Sequence, residues 1–200
     1  RVSQGGTMQS YPKIWFLRHG QTEWNKAYRL QGQLDSPLTE QGIQDAERQA
    51  ELIAPALAEQ PDVFVSPLGR TLQTAKIALG DTAYRADDRL MEIHAGEWQG
   101  RLRSDILAEL TDTAAQQFSA LEIYEAATGG EGLAAFQMRI KAFLRDLTGP
   151  TVIVAHGLLG QVLRAEVRGL DMARAGHLSN LQGCVYVLEN GQETVLEQIE

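Results

Sequence analysis

The chain reads as an α/β protein. An unbroken apolar run at residues 14–17 and a strongly apolar one at 151–155 have the pattern of strands buried on both faces. Stripes of apolar residues at helical spacing separate the strand-like runs. Strands alternating with helices predict the α/β class. Asn190-Gly191 near the end of the chain signals a closing hairpin instead.

The composition narrows the function classes. The 200 residues include 44% hydrophobic and 22% charged positions, enough for one globular domain with a substantial core. Eighteen Lys and Arg against 26 Asp and Glu give a formal charge of −8, which disfavours nucleic acid or an anionic membrane as partner. No apolar run approaches the roughly 18 residues of a membrane span. The single Cys184 has no partner for an internal disulfide and sits in a strand-like run, as a small core residue. Residues 1–7 lack an apolar signal core and read as a non-native remnant ahead of a start at Met8, which leaves 8–200 as a single domain. With no other address in the chain, the cytoplasm is the expected location.

The elements follow in order. The strand at 14–17 stops abruptly at Arg18-His19-Gly20, with Thr22 and Asn25 just beyond. Residues 26–37 are polar and read as a loop. Thr39 has the position of an N-cap, with Leu38 and Ile43 as a hydrophobic staple. Ile43, Ala46, Ala50, Ile53 and Leu57 form the stripe of the helix that follows, and Pro55 should kink or end it. Residues 63–65 form a second strand, after which Ser66 suits an N-cap and Pro67 the first helical position. Arg70 then falls in the first turn, where free amides favour an anion.

A weaker strand is predicted at 83–86. Residues 101–130 show no strand signal and read as a helical excursion lying over the strand ends as a lid, with Ser104 capping a helix that carries Ile106, Leu107 and Leu110. Leu133, Phe136, Ile140, Phe143 and Leu147 mark one face of the next helix, stopped by Gly149-Pro150. The strand at 151–155 ends, like the first, in a His-Gly pair, His156-Gly157, followed by a stripe of Leu158, Leu159, Val162, Leu163 and Val167. Residues 185–189 and 193–199 form the hairpin.

Ligands of open α/β sheets bind beyond the carboxyl ends of the strands. If the sheet brings the two His-Gly ends together, His19, His156, Arg18 and Arg70 converge on one pocket. Two permanent cations and two imidazoles in an acidic protein suit a phosphate group, because Arg presents paired donors to its oxygens. A neutral His19 nitrogen can attack phosphorus, with Arg18, Arg70 and His156 holding the remaining oxygens.

These residues also carry a family resemblance. Arg18-His19-Gly20-x-Thr22-x-x-Asn25 after an apolar strand resembles the signature of the histidine phosphatase superfamily, the phosphoglycerate-mutase-like proteins. Ser66-Pro-x-x-Arg70-Thr71 matches its second motif. Leu90, Glu92, Gly96, Trp98 and Gly100 match its third. The resemblance covers nearly all of residues 13–189. It implies a three-layer α/β/α fold with a mostly parallel central sheet, and a phosphohistidine mechanism with Glu92 as the acid. It implies neither metal nor cofactor. It also implies substrate contacts from Arg18, Gly20, Thr22, Asn25, Arg70, His156 and Gly157. Gln31-Gly32 are substrate contacts or an ordinary surface turn. Where the family often has Gly-Glu-Ser, this chain has Gly130-Glu131-Gly132.

Within the family the expected activity is hydrolysis of a small phosphorylated metabolite. The family's mutases carry an extended basic segment and tend to follow the second His-Gly with Asn. Here residues 101–129 hold only Arg101 and Arg103 as cations, and Leu158 follows Gly157. The apolar and acidic groups of that segment disfavour polyanionic substrates. A cofactor-dependent phosphoglycerate mutase is the runner-up, and a phosphate-recognition module without turnover is the non-enzymatic alternative. His19, His94, His156 and Glu92 make up a rival metal site, which the two arginines oppose. A homodimer is left open.

Overall fold

The computed structural model describes residues 10–111 and 113–197. The first strand, β1 (Ile14–Arg18), leads into a one-turn helix α1 (Glu23–Lys26) and the long α2 (Glu40–Ala58). Then come β2 (Asp62–Val65), α3 (Gly69–Ala78) and the two-residue β3 (Arg85–Ala86). The excursion contains α4 (Arg103–Glu109) and α5 (Ala120–Ala126). After α6 (Gly132–Arg145) the chain forms β4 (Thr151–Ala155), α7 (Gly157–Arg168) and the hairpin β5 (Val185–Glu189) and β6 (Gln192–Leu196).

The sheet order is β3-β2-β4-β1-β5-β6. β1, β2, β3 and β4 run parallel, and the hairpin adds two antiparallel strands at one edge. The register places Arg18 beside Ala155, so both His-Gly pairs leave the sheet at the same edge, side by side. His19 N–H continues the ladder, donating to the Ala155 carbonyl at 3.0 Å. Asn190 (φ 54°) and Gly191 (φ 73°) take the left-handed angles that a tight hairpin turn requires.

Alternation along β1 builds the three layers. Ile14 and Phe16 pack with Phe136, Ile140 and Phe143 of α6 and Leu159 and Leu163 of α7. Trp15 and Leu17 face the opposite way, toward Ile53 of α2 and Ala75 of α3. A strand buried on both sides must be apolar throughout, which is why 14–17 carries no polar residue. The excursion has a smaller core of its own, with Leu30, Ala95, Ile106, Ile123 and Ala127.

Several local expectations need correction. Ile43 is exposed, so it makes no staple with the buried Leu38, although Thr39 does cap α2 by accepting from Gly42 N. The buried face of α2 includes Asp45, Gln49 and Leu52, because Gln49 donates to the Arg18 and Cys184 carbonyls and Asp45 accepts from Gln21 N. Hydropathy places polar residues outside. These two face inward because each has a buried partner. The helix runs past Pro55 to Ala58.

Ser66 does not cap α3. Leu68 holds the N-cap position, while the Ser66 hydroxyl is bonded to His156. Ser104 lies inside α4, whose N-cap is Leu102, whereas Ser119 caps α5 in a reciprocal pair with Glu122. The expected remnant at 1–7, the start at Met8 and the hairpin position Ile199 lie outside the described residues.

Candidate active site

A cavity of about 370 Å³ opens over the carboxyl edge of the sheet, lined at its base by Arg18, His19, Arg70, Glu92 and Gly157. The rings of His19 and His156 lie edge to face with centroids 5.4 Å apart. The end of β1, the end of β4 and the first turn of α3 therefore deliver their residues to one place.

The hydrogen bonds fix the state of each imidazole. His19 Nδ1 lies 2.7 Å from the Gly20 carbonyl oxygen, which can only accept, so Nδ1 carries the proton. Nε2 is left with its lone pair. Burial, and then the charges of Arg70 and Arg18, hold this ring well below the usual imidazole pKa, so it is neutral at neutral pH. His156 is bonded the other way, with Nε2 2.7 Å from Ser66 Oγ. Among the described residues His156 Nε2 is the acceptor within reach of the Ser66 hydroxyl, and with that hydroxyl donating, the His156 proton sits on Nδ1. Burial and Arg70 keep His156 neutral as well.

Arg70 is 1% exposed. Its Nη1 donates to the Leu34 carbonyl at 2.7 Å and to Asp35, and its Nη2 to the Gly32 carbonyl at 2.6 Å. Arg18 Nη1 donates to the Asn180 carbonyl at 2.6 Å. Three buried polar atoms around the site have no partner among the described residues: Arg18 Nε, Arg70 Nε and His156 Nδ1. All three are donors, and leaving buried donors unpaired costs about 1–3 kcal/mol each. Arg18 and Arg70 line the cavity, whereas His156 is fully buried and lies against the His19 ring behind it.

Glu92 lies opposite, and its carboxylate closes the amino end of α7. It accepts from Leu158 N and Leu159 N, both at 2.9 Å, and from Ile93 N at 3.0 Å. Burial pushes its pKa up, with these amides and Arg70 pulling the other way. Arg139 and Glu131 grip the segment from behind, through the Glu92 carbonyl and the His94 amide. His94 is turned aside, its Nδ1 accepting from Gly96 N, and among the described residues no cluster of three or more His, Cys, Asp or Glu is placed to hold a metal ion.

The other predicted residues divide. Asn25, Gln31 and Gly32 line the cavity. Thr22 forms a capping box with Asn25 and is not part of the lining. Gly20 N donates to Thr74 Oγ1, and a Cβ at Gly20 would come within 2.2 Å of the Gly42 carbonyl, so this glycine lets β1 pass close to α2. A Cβ at Gly157 would meet Asn180 Nδ2 at 2.6 Å and Arg18 Nε at 2.8 Å. Gly157 is also the first residue of α7, where an amide has no acceptor within the helix.

Residues not anticipated complete the wall. Tyr124 reaches in from α5, and its hydroxyl accepts from Gln31 N at 3.2 Å; burial, then Glu92, push its pKa up to about 12. Asn180 and Gln182 enter from the loop before β5, with Gln182 Nε2 donating to the His19 carbonyl and to Asn25. No motif marks them. Tyr124 reads as one more apolar position in a helical stripe.

Fold and site together describe an α/β protein with an anion pocket built around a neutral, uncapped imidazole nitrogen. The chain belongs to the histidine phosphatase superfamily (branch 1), whose family model matches residues 14–198. It is 34% identical over 176 residues to a glucosyl-3-phosphoglycerate phosphatase of Mycolicibacterium vanbaalenii, covering 80% of this chain and 76% of that one. It is 33% identical over 186 residues to a "probable phosphoglycerate mutase" of Serratia proteamaculans, covering 86% and 81%. The solved structure of an α-ribazole phosphatase from Shigella flexneri aligns with TM-score 0.75 and 27% identity over 93% of this chain and 96% of that one.

Proposed function

We propose that the chain hydrolyses a small phosphorylated metabolite through a phosphohistidine on His19, without a metal ion. The observation that carries the proposal is that Arg18 Nε, Arg70 Nε and His156 Nδ1 are buried without a partner among the described residues, on residues whose charge or ring bears directly on His19, a neutral imidazole whose free nitrogen is Nε2. Names of relatives support the reaction class, two of them being phosphatases of phosphorylated small molecules.

The step runs as follows. His19 Nε2 attacks phosphorus as the ester oxygen departs, and Nδ1–H stays on the Gly20 carbonyl, which stabilises the ring as it becomes positive. Arg18, Arg70, His156 and the Gly157 amide hold the remaining oxygens. Glu92, its pKa raised by burial, gives its proton to the leaving alkoxide. Glu92 then takes a proton from the water that cleaves the N–P bond, releasing phosphate and restoring the ring.

The test is a panel of phosphomonoesters assayed in excess chelator, with 3-phosphoglycerate plus catalytic 2,3-bisphosphoglycerate as the mutase control. The expected result is phosphate release that survives chelation and exceeds isomerisation. Isomerisation with negligible phosphate release would make the chain a mutase. Activity lost to chelator and restored by zinc or manganese would replace the mechanism.

A further inference from the structure

Among the described residues the terminal hairpin lines no part of the cavity, yet one of its side chains is tied to it. Of the five residues of β6, Glu193 alone is not exposed. Its carboxylate oxygens accept from Nε and Nη2 of Arg164 on α7, a side chain only 1% exposed whose Cζ lies 3.8 Å from the centre of the Tyr186 ring. Arg164 Nη1 then donates to the Ser179 carbonyl at 2.8 Å. A buried ion pair is weak evidence for stability, because apolar residues of similar volume often serve as well. What a planar guanidinium adds is a fork that fixes two acceptors at once.

The second acceptor belongs to the loop that enters the site. Residues 178–182 are gripped from behind: Gln161 Nε2 donates to the Leu178 carbonyl at 2.7 Å, Arg164 holds the Ser179 carbonyl, and Leu181 N donates to the Tyr186 hydroxyl at 2.8 Å. The Asn180 carbonyl, between these points, accepts from Arg18 Nη1 at 2.6 Å. Among the described residues that carbonyl is the one acceptor of the Arg18 guanidinium, whereas Arg70 has Gly32, Leu34 and Asp35. Arg18 is thus oriented by a single atom of a loop, and the loop is oriented by α7 and the hairpin.

We propose that Arg164, clamped by Glu193, is a positioning residue for Arg18. By fixing Ser179 it holds the Asn180 carbonyl in place, and with it the guanidinium whose Nε has no partner among the described residues. Gln182, carried by the same loop, donates to the His19 carbonyl and to Asn25 at 3.2 Å each, so a shift of this loop also reaches the backbone of that histidine. What Arg18 holds rests on the phosphatase reading, whereas how Arg18 is held does not.

The experiment is Arg164→Lys, which keeps the charge toward Glu193 and loses the fork. In the ligand-free chain, heteronuclear NMR follows the Arg18 Nε–H signal, assigned by its absence in Arg18→Lys. The expected result is a slowly exchanging signal that broadens or exchanges faster in Arg164→Lys. The kcat/KM for 4-nitrophenyl phosphate falls about 10–10²-fold, the cost of a misplaced binding group. In an Arg18→Lys background the same change costs little more, because it acts through Arg18. Arg168→Gln removes the other arginine near Glu193, at 3.7 Å, which has no bond to the loop among the described residues, and leaves both readouts unchanged. If Arg164→Lys does not fold, Tyr186→Phe frees Leu181 N with the ion pair kept, and the same readouts apply. An unchanged Arg18 signal, losses that multiply across the two backgrounds, or an equal effect of Arg168→Gln overturns the assignment. A chain that turns over no phosphomonoester counts against the phosphatase reading alone, since the Arg18 signal is read without substrate.

Discussion

Two adjacent parallel strands end in the same dipeptide, and the two copies do different work. At the end of β1, His19 gives its Nδ1 proton to its own loop and presents Nε2, while Gly20 serves packing against Gly42 of α2. At the end of β4, His156 gives Nε2 to Ser66 and keeps a buried Nδ1 without a partner, while Gly157 opens α7 beside Arg18. In the mechanism proposed here, hydrogen-bond partners, not residue type or strand position, decide which histidine is to attack and which one is to donate. On that proposal the β1 side supplies the nucleophile. The β4 side supplies donors and, through the amides of α7, the seat of Glu92.

The largest expected effect breaks the pair apart. His19→Ala should lower kcat by about 10³-fold or more, since the covalent route disappears. His156→Ala, losing one charge-stabilising donor, should cost about 10²–10³-fold. Steady-state kinetics on one substrate checks both, and equal losses would argue that the two rings act as a unit.

Glu92 sharpens the β4 side. Glu92→Gln keeps the size of the acid but cannot deliver its proton, so phosphorylation by alkyl phosphates should slow about 10²–10⁴-fold. With 4-nitrophenyl phosphate, whose leaving group departs unaided, single-turnover phosphorylation should be nearly unchanged. Equal slowing on both esters would remove Glu92 as the acid.

The glycines make a smaller, opposite pair. Gly20→Ala drives a Cβ into backbone and should cost about 1–3 kcal/mol of stability, read by chemical denaturation. Gly157→Ala meets side chains of the site instead, so activity should fall further than stability. The pH dependence of stability is smaller still. Both imidazoles are held neutral in the folded chain, so only the unfolded chain takes up their protons just below the usual pKa of about 6.5. Their contribution to stability is therefore full above that pH and is lost as pH falls toward their lowered folded values. Denaturation midpoints at pH 7 and pH 5.5 should drop less in His156→Asn than in the wild type.

How far the sequence reveals this depends on where the information lies. The strands β1 and β4 are legible because burial on both faces makes them almost wholly apolar, Thr151 being accommodated by its bond to the Gly149 carbonyl, and the His-Gly pairs stand out against that background. Arg70 does lie at a helix start, as the sequence predicts, but the capping role expected of Ser66 falls to no side chain. The face of α2 is hidden in the sequence because Asp45 and Gln49 look like surface residues until their partners, Gln21 N and the Arg18 carbonyl, are folded against them. Tyr124, Asn180 and Gln182 were illegible as site residues, since they come from a helical excursion and a loop that only tertiary packing brings to the cavity.

The central claim is that His19 Nε2 forms a bond to phosphorus while His156 does not. Rapid mixing with a labelled phosphomonoester, quenching in alkali and peptide mapping test it most directly. The account predicts acid-labile phosphate on His19 in the wild type, on His19 still in His156→Ala, and on no residue in His19→Ala. Label on His156, or full turnover in His19→Ala, would contradict it.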